Sequence, residues 1–85
     1  MIARWNPEKN IILKKERDVC FEDVLESEIL DDIPHFNPSK YPNQSILVVN
    51  IRDYTYYVPY VTEGDGSLFL KNIIPSRSFH KKYTH

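Results

Sequence analysis

The sequence predicts an α+β fold: two N-terminal helices packed on a small antiparallel sheet of three to four strands, with a short basic C-terminal tail. Three observations lead there. Helical patterns open at Asn6-Pro7 and again near Cys20. Three runs then alternate with period two, at Gln44 to Arg52, Tyr54 to Thr62 and Leu68 to Ser76. The stretches "RDYT" and "EGDG" join those runs as hairpin turns. Helices first and consecutive antiparallel strands afterwards segregate the helices onto one face of the sheet. At 85 residues the chain supports one modest core, so residues 1–85 are expected to form a single domain.

Each element has a local reason. Asn6 caps free N–H groups and Pro7 tolerates the first helical position, so a helix is expected from Pro7 to about Arg17, with Ile12 and Leu13 inward, helped by Ile11. A second helix begins near Cys20. Phe21, Val24, Leu25 and Ile29 make its apolar stripe, and Glu22 and Asp23 suit its positive end. Cys20 stands where Ser or Asp would cap better and is read as a small, buried or half-buried residue. Pro34, Pro38 and Pro42 exclude a long helix from Asp31 to Asn43; a short edge strand at Ile33 to Phe36 and a loop over "NPSKYPNQ" are expected. In the first strand Leu47, Val49 and Ile51 oppose Ile46, Val48, Asn50 and Arg52, and in the second Tyr54, Tyr56, Val58 and Tyr60 oppose Thr55, Tyr57, Pro59 and Val61. The third run places Leu68, Leu70, Asn72 and Ile74 on one side and Phe69, Lys71, Ile73 and Arg77 on the other. Pro59 removes a ladder donor, which signals an edge or a bulge.

Formal charge is −1, yet it is unevenly spread. Met1 to Arg17 carries five bases against two acids, Asp18 to Asp32 seven acids and no base, and Leu68 onward four bases and no acid. Such asymmetry suggests a basic patch assembled in space. A lone Cys20 excludes an internal disulfide, and the spacing of Cys20 with His35, His80 and His85 suits no metal site. No cofactor is called for. With no apolar run of signal-peptide or membrane-spanning length, a cytoplasmic protein without membrane association is expected.

The closing stretch concentrates the chemistry. Arg77 at a strand end can clamp a phosphate through two parallel hydrogen bonds. His80 brings an imidazole that can take up or release a proton, Lys81 and Lys82 add point charges, and Tyr83 brings a ring with a hydroxyl. Cations interleaved with aromatics suit single-stranded nucleic acid, charge for the backbone and ring faces for the bases. The tyrosines of the second strand serve either as cross-strand packing or as a stacking platform. Plainer roles stand beside these: His80 as a surface residue, Tyr83 as a packing ring, Lys71 as a solvated strand residue.

"WNPEKN" and "VCFEDV", each opening a helix, then "KYPNQS", paired strands and "IIPSR" before a basic stretch ending in Tyr, resemble the BrnT-type toxins. These belong to bacterial type II toxin–antitoxin modules in the RelE-like group, and the likeness covers nearly the whole chain in element order. It implies a RelE-like fold, metal-independent endoribonuclease activity that inhibits translation and growth, and neutralisation by a ribbon-helix-helix antitoxin in a hetero-oligomer. "PSR" resembles the family's "SAR", which places Arg77 on its strand-end arginine; "HKKY" resembles its basic closing helix. Two departures stand out: Asn72 replaces an arginine frequent before the paired isoleucines, and the tail is shorter and less rich in arginine. The resemblance places Arg77, Lys81, Lys82 and Tyr83 at the site or its rim; the demands of cleavage then put Arg77 on the phosphate, supported by Lys71 and Lys81, with His80 or Tyr83 for proton transfer. Lys81, Lys82, Arg52 and Tyr56 complete a candidate RNA-binding set. The alternative is a non-catalytic RNA-binding or protein-interaction module of the same fold.

The acidic middle would repel phosphate. Glu26→Gln and Glu28→Gln are therefore expected to leave RNA cleavage intact, as rates on a defined single-stranded RNA would reveal.

Overall fold

The computed structural model describes residues 1–84; His85 lies outside the described residues. After a short strand β1 (Ala3–Trp5), Asn6 opens α1 (Pro7–Arg17), its Oδ1 accepting the N–H groups of Glu8 at 2.8 Å and Lys9 at 3.2 Å. Asp18 ends the helix in the left-handed region, φ 56°. Only Leu13 of α1 is buried; Ile12 and Ile11, expected to help, are 46% and 68% exposed. An 11-residue helix meeting the core along a narrow line buries only the residue on that line.

The second helix is shorter than its apolar stripe. α2 (Phe21–Glu26) stops at Ser27, whose hydroxyl donates to the Val24 carbonyl at 2.7 Å. Phe21 and Val24 are buried, whereas Leu25 is exposed and Ile29 belongs to the next strand. That strand, β2 (Glu28–Pro34), replaces the short edge strand expected at Ile33 to Phe36: ladder bonds to β3 outweigh the helical spacing, and the pairing ends at Pro34. β3 (Ser45–Ile51) and β4 (Tyr54–Thr62) form the expected hairpin. Arg52 and Asp53, at φ 49° and 64°, make its two-residue turn in the left-handed conformation that matches strand twist.

The third run is broken. β5 (Leu68–Leu70) and β6 (Ile74–Pro75) both pair antiparallel with β4, but Tyr60 faces Leu70 while Tyr57 faces Ile74. One residue too many lies between them. The cause is Pro59. Lys71 N–H donates to the Pro59 carbonyl at 2.8 Å, and the reciprocal bond cannot form because proline has no N–H. The chain leaves the ladder and rejoins it out of phase. Ile73 consequently reaches the core and Ile74 turns to the opposite face, the reverse of their expected sides. Arg17 closes the gap, donating to the Ile73 carbonyl at 2.7 Å and to Asn72 Oδ1 at 3.2 Å.

The result is an α+β fold of three helices and a six-stranded sheet, ordered β1-β5-β4-β3-β2 with β6 also on β4. β1 runs parallel to β5, so the sheet is mixed where an antiparallel one of three to four strands was expected. Strands of two or three residues are too short for alternation to reveal. On one face Leu13, Phe21 and Val24 meet Leu47, Val49 and Val58, with Trp5 stacked on Phe21 at 5.5 Å. The basic tail is a helix, α3 (Arg77–Tyr83), on the other face.

Phe21→Ala should cost about 3–5 kcal/mol, because a ring from the sealed core is lost. Arg17→Ala should cost about 1 kcal/mol by unpairing the Ile73 carbonyl. Thermal melts check both; about 4–8 °C per kcal/mol is expected for a domain this small.

Candidate functional site

α3 is pinned where it starts. Ser76 N–H donates to the Thr55 carbonyl at 3.1 Å, and Ser76 Oγ accepts the Phe79 N–H at 3.2 Å. Helical periodicity then sorts its residues: Phe79, His80 and Tyr83 are half-buried toward the sheet, while Arg77, Ser78, Lys81 and Lys82 are exposed. Phe79 meets Tyr57 edge-on at 5.9 Å. The His80 ring stacks on Tyr54 at 4.4 Å, and its Nδ1 lies 3.1 Å from Thr55 Oγ1. Tyr83 donates its hydroxyl to Asp31 Oδ2 at 2.6 Å.

This last bond depends on a bulge. Between Ile29 and Asp31 the β2–β3 register slips by one residue, so Asp31 opposes Val48 and Asp32 opposes Leu47. Adjacent acids thus face opposite sides, and each receives a tyrosine: Tyr83 on Asp31, and Tyr60 on Asp32 at 2.6 Å. The Tyr83 bond, then the Asp32 N–H, holds the Asp31 carboxyl below the usual carboxylate range. The same bond raises the Tyr83 phenol. Burial, then the Asp32 hydrogen bond, pushes Tyr60 up to about 12.

The sequence-predicted residues therefore separate. Arg77, Lys81 and Lys82 share the open side of α3, with Lys82 Nζ 5.4 Å from the Tyr83 ring. His80 and Tyr83 sit beneath them, engaged with the sheet. Lys71 lies on the broken strand, its Nζ 4.8 Å over the Phe69 ring. Arg52 and Tyr56 are not brought to this group. Arg52, in the β3–β4 turn, donates to the Asp18 carbonyl and pairs with Asp23 at 3.4 Å. Tyr56 packs half-buried against the core, with the Tyr54 ring 5.8 Å away between it and His80. Cys20 is half-buried and its thiol is pushed up, chiefly by burial.

Beside α3, on the same face, opens a cleft of about 300 Å³ lined by His35, Phe36, Tyr41, Tyr57, Pro59 and Lys71, with Gln44, Asn72 and Ile74. Of these, sequence reasoning had singled out only Lys71 as a site residue. The ring-rich, proline-punctuated "HFNPSKYP" was the available signal, but nothing local shows that it folds toward the sheet. Among the described residues no three His, Cys, Asp or Glu side chains gather as a metal site would require, and no helix is long and apolar enough to cross a membrane.

The class that fold and site define is an α+β domain carrying an acid-free cationic helix beside an aromatic cleft. No family model matches the sequence, and no curated protein or solved structure matches it.

Tyr83→Phe and Asp31→Asn should each lower the melting temperature by a few degrees at pH 7, and the double variant should be little worse than either. Asp31 is depressed in the folded state, so its contribution is present above the ordinary Asp value near ~4 and lost as pH falls through the folded value. Tyr83 is raised, so its contribution is present below about 10 and lost at higher pH. The gap between wild type and Tyr83→Phe should accordingly close in acid, as paired melts across pH would show.

Proposed function

We propose that this chain is a toxin of the BrnT type, in the RelE-like group: a metal-independent endoribonuclease that cuts RNA in the cytoplasm and slows growth. A ribbon-helix-helix antitoxin would neutralise it in a hetero-oligomer. The observation that carries this reading is the open side of α3, where Arg77, Lys81 and Lys82 stand together with no acid on the helix. The motif resemblance supplies the reaction.

Cleavage requires a 2′-hydroxyl to lose its proton and attack the adjacent phosphorus. Negative charge grows on the phosphate, and the departing 5′-oxygen takes up a proton. Arg77 is suited to the phosphate, because its planar fork matches two oxygens at once. Lys81, one helical turn on, and Lys71 add cationic charge. His80 is the better proton carrier: Nδ1 is occupied by Thr55, leaving Nε2 for exchange. Tyr83, bonded to Asp31, is better suited to holding α3 in place.

One observation favours the second reading, occupancy of RNA without cleavage: both His80 and Tyr83 are already engaged within the fold.

Expression without an antitoxin should slow bacterial growth. Purified protein with single-stranded RNA and a chelator should yield discrete 5′-hydroxyl products. Arg77→Lys should lose activity nearly as fully as Arg77→Ala, about 10²-fold, since it keeps the charge and loses the fork. Lys82→Ala should mainly weaken binding and its salt dependence. Normal growth at high soluble expression would count against the toxin reading; near-wild-type rates for all three folded variants would mean that the closing stretch is not the active site; RNA retention without products would favour occupancy.

A further inference from the structure

The cleft beside α3 has the composition of a ligand site and lies outside the residues assigned to cleavage, Lys71 excepted. Its rings are held by the chain that carries them. His35 N–H donates to the Gln44 carbonyl at 3.2 Å, Tyr41 N–H to the Asn37 carbonyl at 3.0 Å, and Pro38 and Pro42 stiffen the loop between. His35 packs between Phe36 at 4.7 Å and Tyr41 at 4.5 Å, and Phe36 meets Tyr57 edge-on at 5.4 Å. Phe36 is nevertheless 60% exposed, so its ring is available to a partner.

The polar groups include several donors. His35 Nδ1 accepts the Asn37 N–H at 2.9 Å, which in the neutral ring leaves the proton on Nε2. Gln44 and Asn72 carry amides, Lys71 brings a cation, and no acid lines the cleft. Flat apolar walls with donors and a positive charge are complementary to a base attached to a phosphate. At about 300 Å³ the space stands at the lower limit of ligand pockets, enough for one base and not for a stacked pair. Tyr57 lines the cleft and also touches Phe79 of α3, so a strand with one base inserted here would continue along Arg77 and Lys81.

We infer that this cleft is a base-binding subsite that takes one unstacked nucleotide of a single-stranded RNA between its rings, with Lys71 on that nucleotide's phosphate. The inference rests on the RNA reading above and adds to it a place where the base, rather than the backbone, is held.

The test uses a fluorescent 2′-O-methyl RNA octamer, which lacks the attacking hydroxyl and stays intact, and a matching octamer of abasic sugar–phosphate. Anisotropy should show the octamer with bases binding the wild-type protein at least about tenfold tighter than the abasic one. Phe36→Ala should erase that difference, and Phe36→Trp should keep it. Lys71→Ala should weaken both strands and reduce the salt slope by about 0.7. Should Phe36→Ala fail to fold, photo-crosslinking of a 4-thiouridine octamer to wild type asks the same question. Adducts on Phe36, Tyr41 or Tyr57 support the subsite, and adducts confined to α3 overturn it. Equal binding of both strands, or a base preference that survives in Phe36→Ala, would overturn the subsite while leaving the RNA reading intact. Binding of neither strand would remove both.

Discussion

The arrangement of this protein depends on a single absent hydrogen-bond donor. Pro59 stands in β4, the strand that pairs with β3, β5 and β6, and its missing N–H interrupts the ladder opposite Lys71. Because side chains alternate strictly along a strand, one surplus residue exchanges faces for everything after it. Ile73 enters the core, Ile74 crosses to the other face, and α3 begins there three residues later. The same interruption opens the floor of the cleft, where Pro59, Lys71, Asn72 and Ile74 are neighbours. Arg17 at the end of α1 satisfies the freed carbonyl, so the break is sealed on the core side and open on the other.

A second register slip complements the first. The bulge at Leu30 turns Asp31 toward α3 and Asp32 toward the opposite face, and a tyrosine meets each. The acid-rich segment thereby becomes structural on both sides of an edge strand. Asp31 keeps its charge while it accepts the Tyr83 hydroxyl and is felt by Lys82, so the cationic helix has one carboxylate as a neighbour at its C-terminal end.

The face under α3 carries two kinds of group, cations on the helix and rings in the cleft. Cations on the helix suit a phosphate backbone, and rings in the cleft suit bases. Of the two proton-transfer candidates by residue type, Tyr83 ties the helix to the sheet through its hydroxyl, while His80 does so through Nδ1 and its ring face. Residue identity indicates which chemistry is available; packing decides which groups remain free for it.

What the sequence determined by itself was whatever depends on neighbours along the chain. Asn6 and Pro7 set the start of α1 through cap geometry, "RDYT" and "EGDG" set both hairpins, and alternation sorted β3 and β4 correctly onto two faces. The α+β class followed from that order, and Pro59 was legible as a site of disruption. Tertiary structure decided the rest. β1 exists because β5 offers it an edge, and Leu68 N–H reaches the Ile2 carbonyl at 2.9 Å. Glu28 and Ile29 join β2 because β3 pairs with them, although Ile29 fits a helical stripe. The direction of the slip at Pro59, the partners of Asp31 and Asp32, and the folding of "HFNPSKYP" over the sheet all require contacts between residues far apart in the chain. Local periodicity is blind to these, because a strand's partner is chosen across space while its pattern is written along the chain.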